Sequence, residues 1–149
     1  MDNIDIDIIR ILQKDARASL SEIGHKINLS VSAVGERVKK LENAGVISEY
    51  VAIVDGKHFN KELTAFIFMS LENPRYTEEF TKFVQEEHDI LECHYIAGNY
   101  DYILKVVTNN PSYLEKLLNR IKSAPGIVKT FTNVVLATEK INYSVYPQI

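Results

Sequence analysis

The chain changes hydrophobic period about a third of the way along. Up to about residue 50, apolar positions recur at helical spacing. Ile4, Ile8, Ile11 and Leu12 share one face of a first helix, the pattern of a half-buried amphipathic segment. Ser19 and Glu22 stand at capping-box spacing and open a second helix through Ile23 and Ile27, which Asn28 ends by tolerating the left-handed conformation. Leu29 is an apolar plug, Ser30 caps a third helix that runs to about Asn43, and Gly45 stops it. Val46 to Val54 is β-branched and loosely alternating, which predicts a strand resembling a wing.

Beyond the loop Asp55 to Asn60 the strand period dominates. Strands are predicted over Leu63–Leu71, Ile90–Ile96, Tyr102–Val107 and Val128–Thr138. Between them lie helices over Thr77–Glu87, burying Phe80, Phe83 and Val84, and over Ser112–Lys122, burying Leu114, Leu117, Leu118 and Ile121. The order βαββαβ predicts a ferredoxin-like domain with both helices on one face of an antiparallel sheet. The fold class is therefore α+β: a winged helix–turn–helix domain over residues 1–50, a linker strand and loop over 51–62, and a ferredoxin-like domain over 63–149. The tail from Glu139 to Ile149 keeps strand-like residues and is expected to pair.

Unrolled at about 100° per residue, the third helix gathers Val31, Val34, Val38 and Leu41 on its buried side. Ser32, Ala33, Glu36, Lys40 and Asn43 face the other way, with Arg37 and Lys39 on the flanks. This is the pattern of a recognition helix entering a major groove; the plainer reading is a three-helix bundle with a solvated face. Arg37 and Lys40 are the expected phosphate ligands, with Lys39 beside them. Ser32, Ala33 and Glu36 can meet base edges: a hydroxyl donates or accepts, a methyl touches thymine, and a carboxylate accepts from a cytosine amine. Glu36 also reads as a partner for Lys40 at i,i+4. Gly24 stands where the second and third helices should approach most closely. Gly35 is unusual in a helix interior, marking close approach either to DNA or to the second helix.

Composition adjusts this picture in two places. Apolar residues make up 46% of the 149-residue chain and charged residues 25%, enough for packed cores and close to the globular average. The net charge of −3 argues against a broad basic footprint. Yet of seven Lys/Arg in residues 1–50, Arg37, Lys39 and Lys40 fall together, while Asp2, Asp5 and Asp7 sit at the start of the first helix, where they favour its dipole. No run approaches the roughly 18 apolar residues of a membrane span. One cysteine, Cys93, and an acidic N-terminus point to a reducing compartment, and the cytoplasm is expected.

Three stretches, Met1 to Leu12, Asp15 to Ser19 and Leu29 to Ile47, resemble the leucine- and asparagine-responsive transcriptional regulators, the Lrp/AsnC or feast/famine family. Gly98 to Tyr102 resembles that family's glycine–acid hairpin, and Pro125 to Thr132 its turn into the last strand. The resemblance covers essentially the whole chain. It implies binding of double-stranded DNA, dimerisation through the C-terminal sheet with assembly to tetramers or octamers, and an amino-acid effector held between C-terminal domains. It departs at His58 to Asn60, where such proteins often carry leucine then glycine; asparagine can replace a left-handed glycine.

For an amino-acid effector, the Gly98-Asn99-Tyr100 turn exposes backbone N–H groups and Asp101 offers an anion. Thr130 and Thr132 can hydrogen-bond a side chain, and Tyr100 can cover an apolar one. The same residues also read as ordinary hairpin chemistry. An architectural DNA-wrapping protein of the same family without a ligand is the alternative. No catalytic, metal or cofactor site is expected: Cys93 and His94 are adjacent in a strand and point to opposite faces, and His25, His58, His88 and His94 have no metal spacing.

Overall fold

The computed structural model describes residues 1–148, so Ile149, the last residue of the expected tail and C-terminal domain, lies outside the described residues. The chain divides into two compact units, Val54–Glu139 and a helical unit built from Met1–Ile53 together with the tail from Lys140.

The helical unit holds α1 (Asn3–Lys14), α2 (Leu20–Ile27) and α3 (Val31–Asn43). Each start has a side-chain cap. Asp2 accepts from the Asp5 N–H while the Asp5 carboxylate accepts from the Asp2 N–H, and Ser19 and Glu22 do the same for α2. The Ser30 hydroxyl accepts from the Ala33 N–H at the start of α3. Asn28 closes α2 at φ 55°, as expected, and Gly45 turns the chain out of α3 at φ 69°. Ile8, Ile23, Val34 and Leu41 meet in the core. Val31, expected on the buried side, is exposed: it is the first residue of α3, a turn ahead of buried Val34.

Two expectations about strands in this unit are corrected. Residues 46–54 form no ladder among the described residues, so the helix–turn–helix carries no paired wing. Their β-branched content favours a strand, but a ladder needs a partner, and this unit offers only helices. The tail forms no ladder either. It packs on α1 through side-chain contacts: Arg10 donates to the Pro147 carbonyl and stacks on the Tyr146 ring, and Gln13 donates to the Ser144 hydroxyl and the Val145 carbonyl. The tail therefore belongs with the helices rather than with the domain that precedes it in sequence.

The second unit holds β1 (Leu63–Leu71), α4 (Thr77–Glu86), β2 (Ile90–Tyr95), β3 (Tyr102–Thr108), α5 (Pro111–Ser123) and β4 (Ile127–Val134). The antiparallel sheet has strand order β2-β3-β1-β4, the βαββαβ arrangement that the sequence predicts. Ala65, Ile67 and Met69 of β1 and Tyr102, Leu104 and Val106 of β3 pack on Phe80 of α4 and Leu114, Leu117 and Ile121 of α5. The other face, with Phe66, Phe68, Ile103, Val107 and Phe131, is covered by neither helix. The last strand ends at Val134 rather than Thr138, because β1, the strand it pairs with, begins at Leu63 and the ladder runs out. Asn60 sits at φ 56°, filling the left-handed position without glycine.

The two glycines of the helix–turn–helix have different surroundings. A Cβ on Gly24 would lie 2.6 Å from the Leu29 carbonyl oxygen, a backbone atom that cannot yield. One on Gly35 would meet only the tip of Leu20 at 3.3 Å, and that side chain is exposed enough to give way. Gly24→Ala should therefore destabilise the helical unit by about 1–3 kcal/mol. Gly35→Ala should be neutral or stabilising by up to about 1 kcal/mol. Urea unfolding of both variants checks this contrast, and equal losses would contradict it.

Candidate functional site

On α3 the outward face is built by spacing and caps. Ser32, Glu36, Lys39 and Lys40 are exposed and Ala33 is half-buried on the flank. Ser32 Oγ lies 3.1 Å from Ser30 Oγ, so the cap shares a hydrogen bond with the first outward-facing position of the helix. Glu36 and Lys40 form no ion pair with each other among the described residues, which leaves both heads free.

Arg37 departs from its expected place as an open phosphate ligand. Its Nη1 lies 2.9 and 3.0 Å from the two Asp2 carboxylate oxygens and 2.7 Å from Asp5 Oδ1. Asp5 is only 7% exposed. The Asp5 N–H, then the Arg37 guanidinium, hold the Asp2 carboxyl below the ordinary aspartate range. Burial pushes Asp5 upward, but the Asp2 N–H and Arg37 outweigh it and its carboxyl also titrates low. The acids expected to cap α1 are thus the partners of the base expected to meet DNA.

In the sheet unit the expected effector residues are divided between the two faces. Residues directly opposite in an antiparallel ladder share a face. Thr130 stands opposite Met69 and Thr132 opposite Ile67, so both point to the helix side. Tyr100 packs on the open side, 5.7 Å from the Phe68 ring and 6.3 Å from Phe131, with the Lys129 ammonium 4.4 Å above it. Gly98, at φ 149°, and Asn99 lie at the exposed hairpin tip.

Asp101 alone of the expected set lines a cavity of about 470 Å³, with Leu71, Pro74, Thr77, Tyr95 and Tyr102. That volume lies within the usual range for small-ligand pockets. Asp101 Oδ2 accepts from the Leu71 N–H at 2.9 Å, and its own N–H donates to the Met69 carbonyl at 3.0 Å. The other carboxylate oxygen makes no hydrogen bond among the described residues. The five other lining residues were missed. Only the register of the hairpin, which sets Tyr95 opposite Tyr102, could have pointed to two of them.

The residues from α1 to α3 match the family profile described as the AsnC-type helix-turn-helix domain over residues 1–42, and the sheet unit matches the Lrp/AsnC ligand binding domain over residues 64–145. The chain belongs to the Lrp/AsnC family. As a member it is a transcriptional regulator with a helix–turn–helix domain and a ligand-binding domain. It is 39% identical over 140 residues to the HTH-type transcriptional regulator FL11 of Pyrococcus abyssi (strain GE5 / Orsay), covering 94% of this chain and 92% of that one. The leucine-responsive regulatory protein of Escherichia coli (strain K12) is 35% identical over 143 residues, covering 94% and 87%. The crystal structure of a transcriptional regulator of Neisseria meningitidis in complex with L-Met superposes with a TM-score of 0.92 at 28% identity, covering 97% of this chain and 96% of that one.

Cys93 and His94 point to opposite faces, as expected: Cys93 stands opposite Leu104 on the helix side and His94 opposite Ile103 on the open side. Burial pushes the Cys93 thiol upward. Among the described residues no helix of this Lrp/AsnC member is long and apolar enough to cross a membrane.

The Asp2 and Asp5 carboxyls titrate lower in the folded chain than the ordinary value near 3.9, so their contribution is complete above that pH and is lost as pH falls through the lowered values. Glu36 and Lys40 flank the same depression and share its field. Asp5→Asn should flatten the acid limb of the melting profile below about pH 4 and leave the neutral limb parallel to wild type. Thermal melts across pH 2 to 7 check it; an acid limb as steep as that of wild type would contradict it.

Proposed function

We propose that this regulator binds double-stranded DNA sequence-specifically through the outward face of α3 and that a small amino-acid-type effector in the sheet unit modulates it. The observation that carries the DNA half is the free face of α3, where Ser32, Glu36, Lys39 and Lys40 stand exposed beside Ala33 on a helix capped by Ser30. Lys39 and Lys40 supply phosphate contacts, which give affinity without sequence choice. Ser32, Ala33 and Glu36 read base edges. Glu36 carries the sharpest choice, because its carboxylate is welcome only where a base amine meets it and is repelled by a phosphate.

Two observations support the effector half. The cavity beside Asp101 is lined by aromatic and aliphatic groups around one carboxylate with an uncommitted oxygen, a fit for an ammonium group next to an apolar side chain. A relative of nearly the same fold has been crystallised with L-Met. Gly98 and Asn99 lie on the adjoining hairpin outside the cavity and Tyr100 on the open face, so they reach a ligand only if the hairpin rearranges. Thr130 and Thr132 reach one only if it extends along the helix side of β4. The open face of the sheet, apolar through Phe66, Phe68, Ile103 and Phe131, favours a homodimer built sheet to sheet and assembling further to tetramers or octamers. Effector sites between C-terminal domains then lie where assembly can sense them. No cofactor enters this reading.

Lys40→Ala should weaken binding to every duplex and lower the slope of log affinity against log salt by about 0.9 for each phosphate no longer neutralised. Glu36→Ala should relax base preference at one position of sites selected from random sequence, by about 1–3 kcal/mol, with little change in non-specific binding. L-amino acids at millimolar concentration should raise the melting temperature of the wild type. Asp101→Asn, which keeps an acceptor for the Leu71 N–H and removes the anion, should abolish that shift without changing the oligomeric state in size-exclusion chromatography. If no amino acid moves the wild type, the architectural alternative replaces the sensor.

A further inference from the structure

The Arg37 guanidinium ties two elements that are distant in sequence. It reaches from the middle of α3 to Asp2 and Asp5, 35 and 32 residues earlier, at the N-terminus of α1. Those two carboxylates are also the reciprocal caps of α1, with Asp5 N–H to Asp2 Oδ1 and Asp2 N–H to Asp5 Oδ2 both at 2.9 Å. Cap and guanidinium therefore form one network. Asp2 and Asp5 satisfy the first turn of α1, and Arg37 balances their charge.

Charge counting shows what this arrangement does to a phosphate. Two carboxylates and one guanidinium leave the three-residue network net negative, while Glu36, Lys40 and Met1 line the depression around it. A phosphate approaching Arg37 would bring a third anion to a guanidinium already paired with two carboxylates. Drawing the guanidinium outward would strand the Asp5 carboxylate, which is 7% exposed, with only a backbone partner. By contrast Lys39 and Lys40 have exposed heads and no carboxylate partner among the described residues. On the helical wheel Arg37 stands about 60° from buried Val34, on the flank toward α1, whereas Lys39 and Lys40 lie beyond about 110° from it.

We propose that Arg37 is a positioning residue, which locks the rotation of α3 against α1 so that Ser32, Glu36, Lys39 and Lys40 face the DNA, and that it is not itself one of the phosphate ligands. The inference rests on the reading of α3 as the DNA-binding helix. It assigns the most basic residue of that helix to the architecture of the domain. It also gives the acidic N-terminus a part in DNA binding, since Asp2 and Asp5 fix the orientation of the reading face.

The test compares Arg37→Gln, Asp5→Asn and Lys40→Ala in the full chain. Each is measured by thermal unfolding and by titration with a mixed-sequence DNA duplex over a range of potassium chloride concentrations. Arg37→Gln is expected to lower the melting temperature by about 5–10 °C and to weaken binding with the salt slope unchanged. Asp5→Asn is expected to lower the melting temperature and likewise to leave the slope unchanged. The proposal is overturned if Arg37→Gln lowers the slope by about 0.9 per bound helix with stability unmoved, which is the signature of a phosphate ligand. It is equally overturned if Arg37→Gln and Asp5→Asn both leave the melting temperature and the affinity unmoved, because the network then locks nothing. Should Arg37→Gln fail to fold, Asp5→Asn decides in its place: a lower melting temperature with weaker binding is expected, and an unmoved melting temperature overturns the proposal. Lys40→Ala separates the two levels: a wild type without salt-dependent binding, or a slope that Lys40→Ala leaves intact, removes the reading of α3 rather than the assignment of Arg37.

Discussion

In the sheet unit, the period-two alternation of β1 and β3 governs what every other residue can do. Ala65, Ile67, Met69, Tyr102, Leu104 and Val106 must all lie under α4 and α5, so their neighbours in sequence are turned to the uncovered face. The same alternation passes to the outer strands through the ladders. It sends Thr130 and Thr132 to one side and Phe131 to the other, and it separates Cys93 from His94. At the hairpin between β2 and β3 the alternation breaks: Tyr100, two residues before helix-side Tyr102, packs on the open face, while Asp101 lines the cavity. The cavity beside Asp101 forms where the helix-side layer ends, at the Tyr95–Tyr102 pair beside Leu71 and Pro74. The aromatic contacts from Phe80 to Tyr102 at 4.8 Å and from Tyr102 to Tyr95 at 5.3 Å lead from the core to that cavity.

In the helical unit the organising devices are caps rather than alternation. Three helices of 8 to 13 residues are too short to hold themselves in water, and their small core of Ile8, Ile23, Val34 and Leu41 is modest. Side-chain caps at Asp2, Ser19 and Ser30 satisfy the first turns, and the left-handed Asn28 makes the tight corner between α2 and α3. Gly24 lets that corner close on the Leu29 carbonyl. The outcome is a reading helix whose outward residues are set by what surrounds it on the other sides.

Much of this was legible in the sequence because it depends on neighbours three or four residues apart. The capping box at Ser19, the Asn28 corner, the Gly45 stop and the bounds of β1 are all local, and the family resemblance rests on those same stretches. What escaped depends on pairing across the chain. Helical spacing puts Arg37 on a flank of α3 but does not say that Asp2 and Asp5 arrive on that flank. Alternating threonines in β4 reveal a shared face but not which face, since the register with β1 decides it. The expected strand over 46–54 failed for a related reason: composition favours a strand, while a ladder depends on a partner that a single unit of helices does not provide. The cavity residues Pro74 and Thr77 carry no local signal of any kind.

The tail gives the chain an order of events. The helical unit is discontinuous, made of Met1–Ile53 and the segment from Lys140 onward, with the whole sheet unit inserted between them in sequence. During synthesis α1 to α3 precede the sheet unit, and Arg10 and Gln13 wait for Ser144, Val145 and Pro147, which follow it. Closing that contact costs the entropy of a loop that spans the whole sheet unit, a cost that grows only slowly with loop length and is reduced when the intervening segment is already ordered. The helix–turn–helix unit is therefore completed only after the sheet unit has been synthesised, so a polypeptide that stops before Ser144 carries the three helices without that packing.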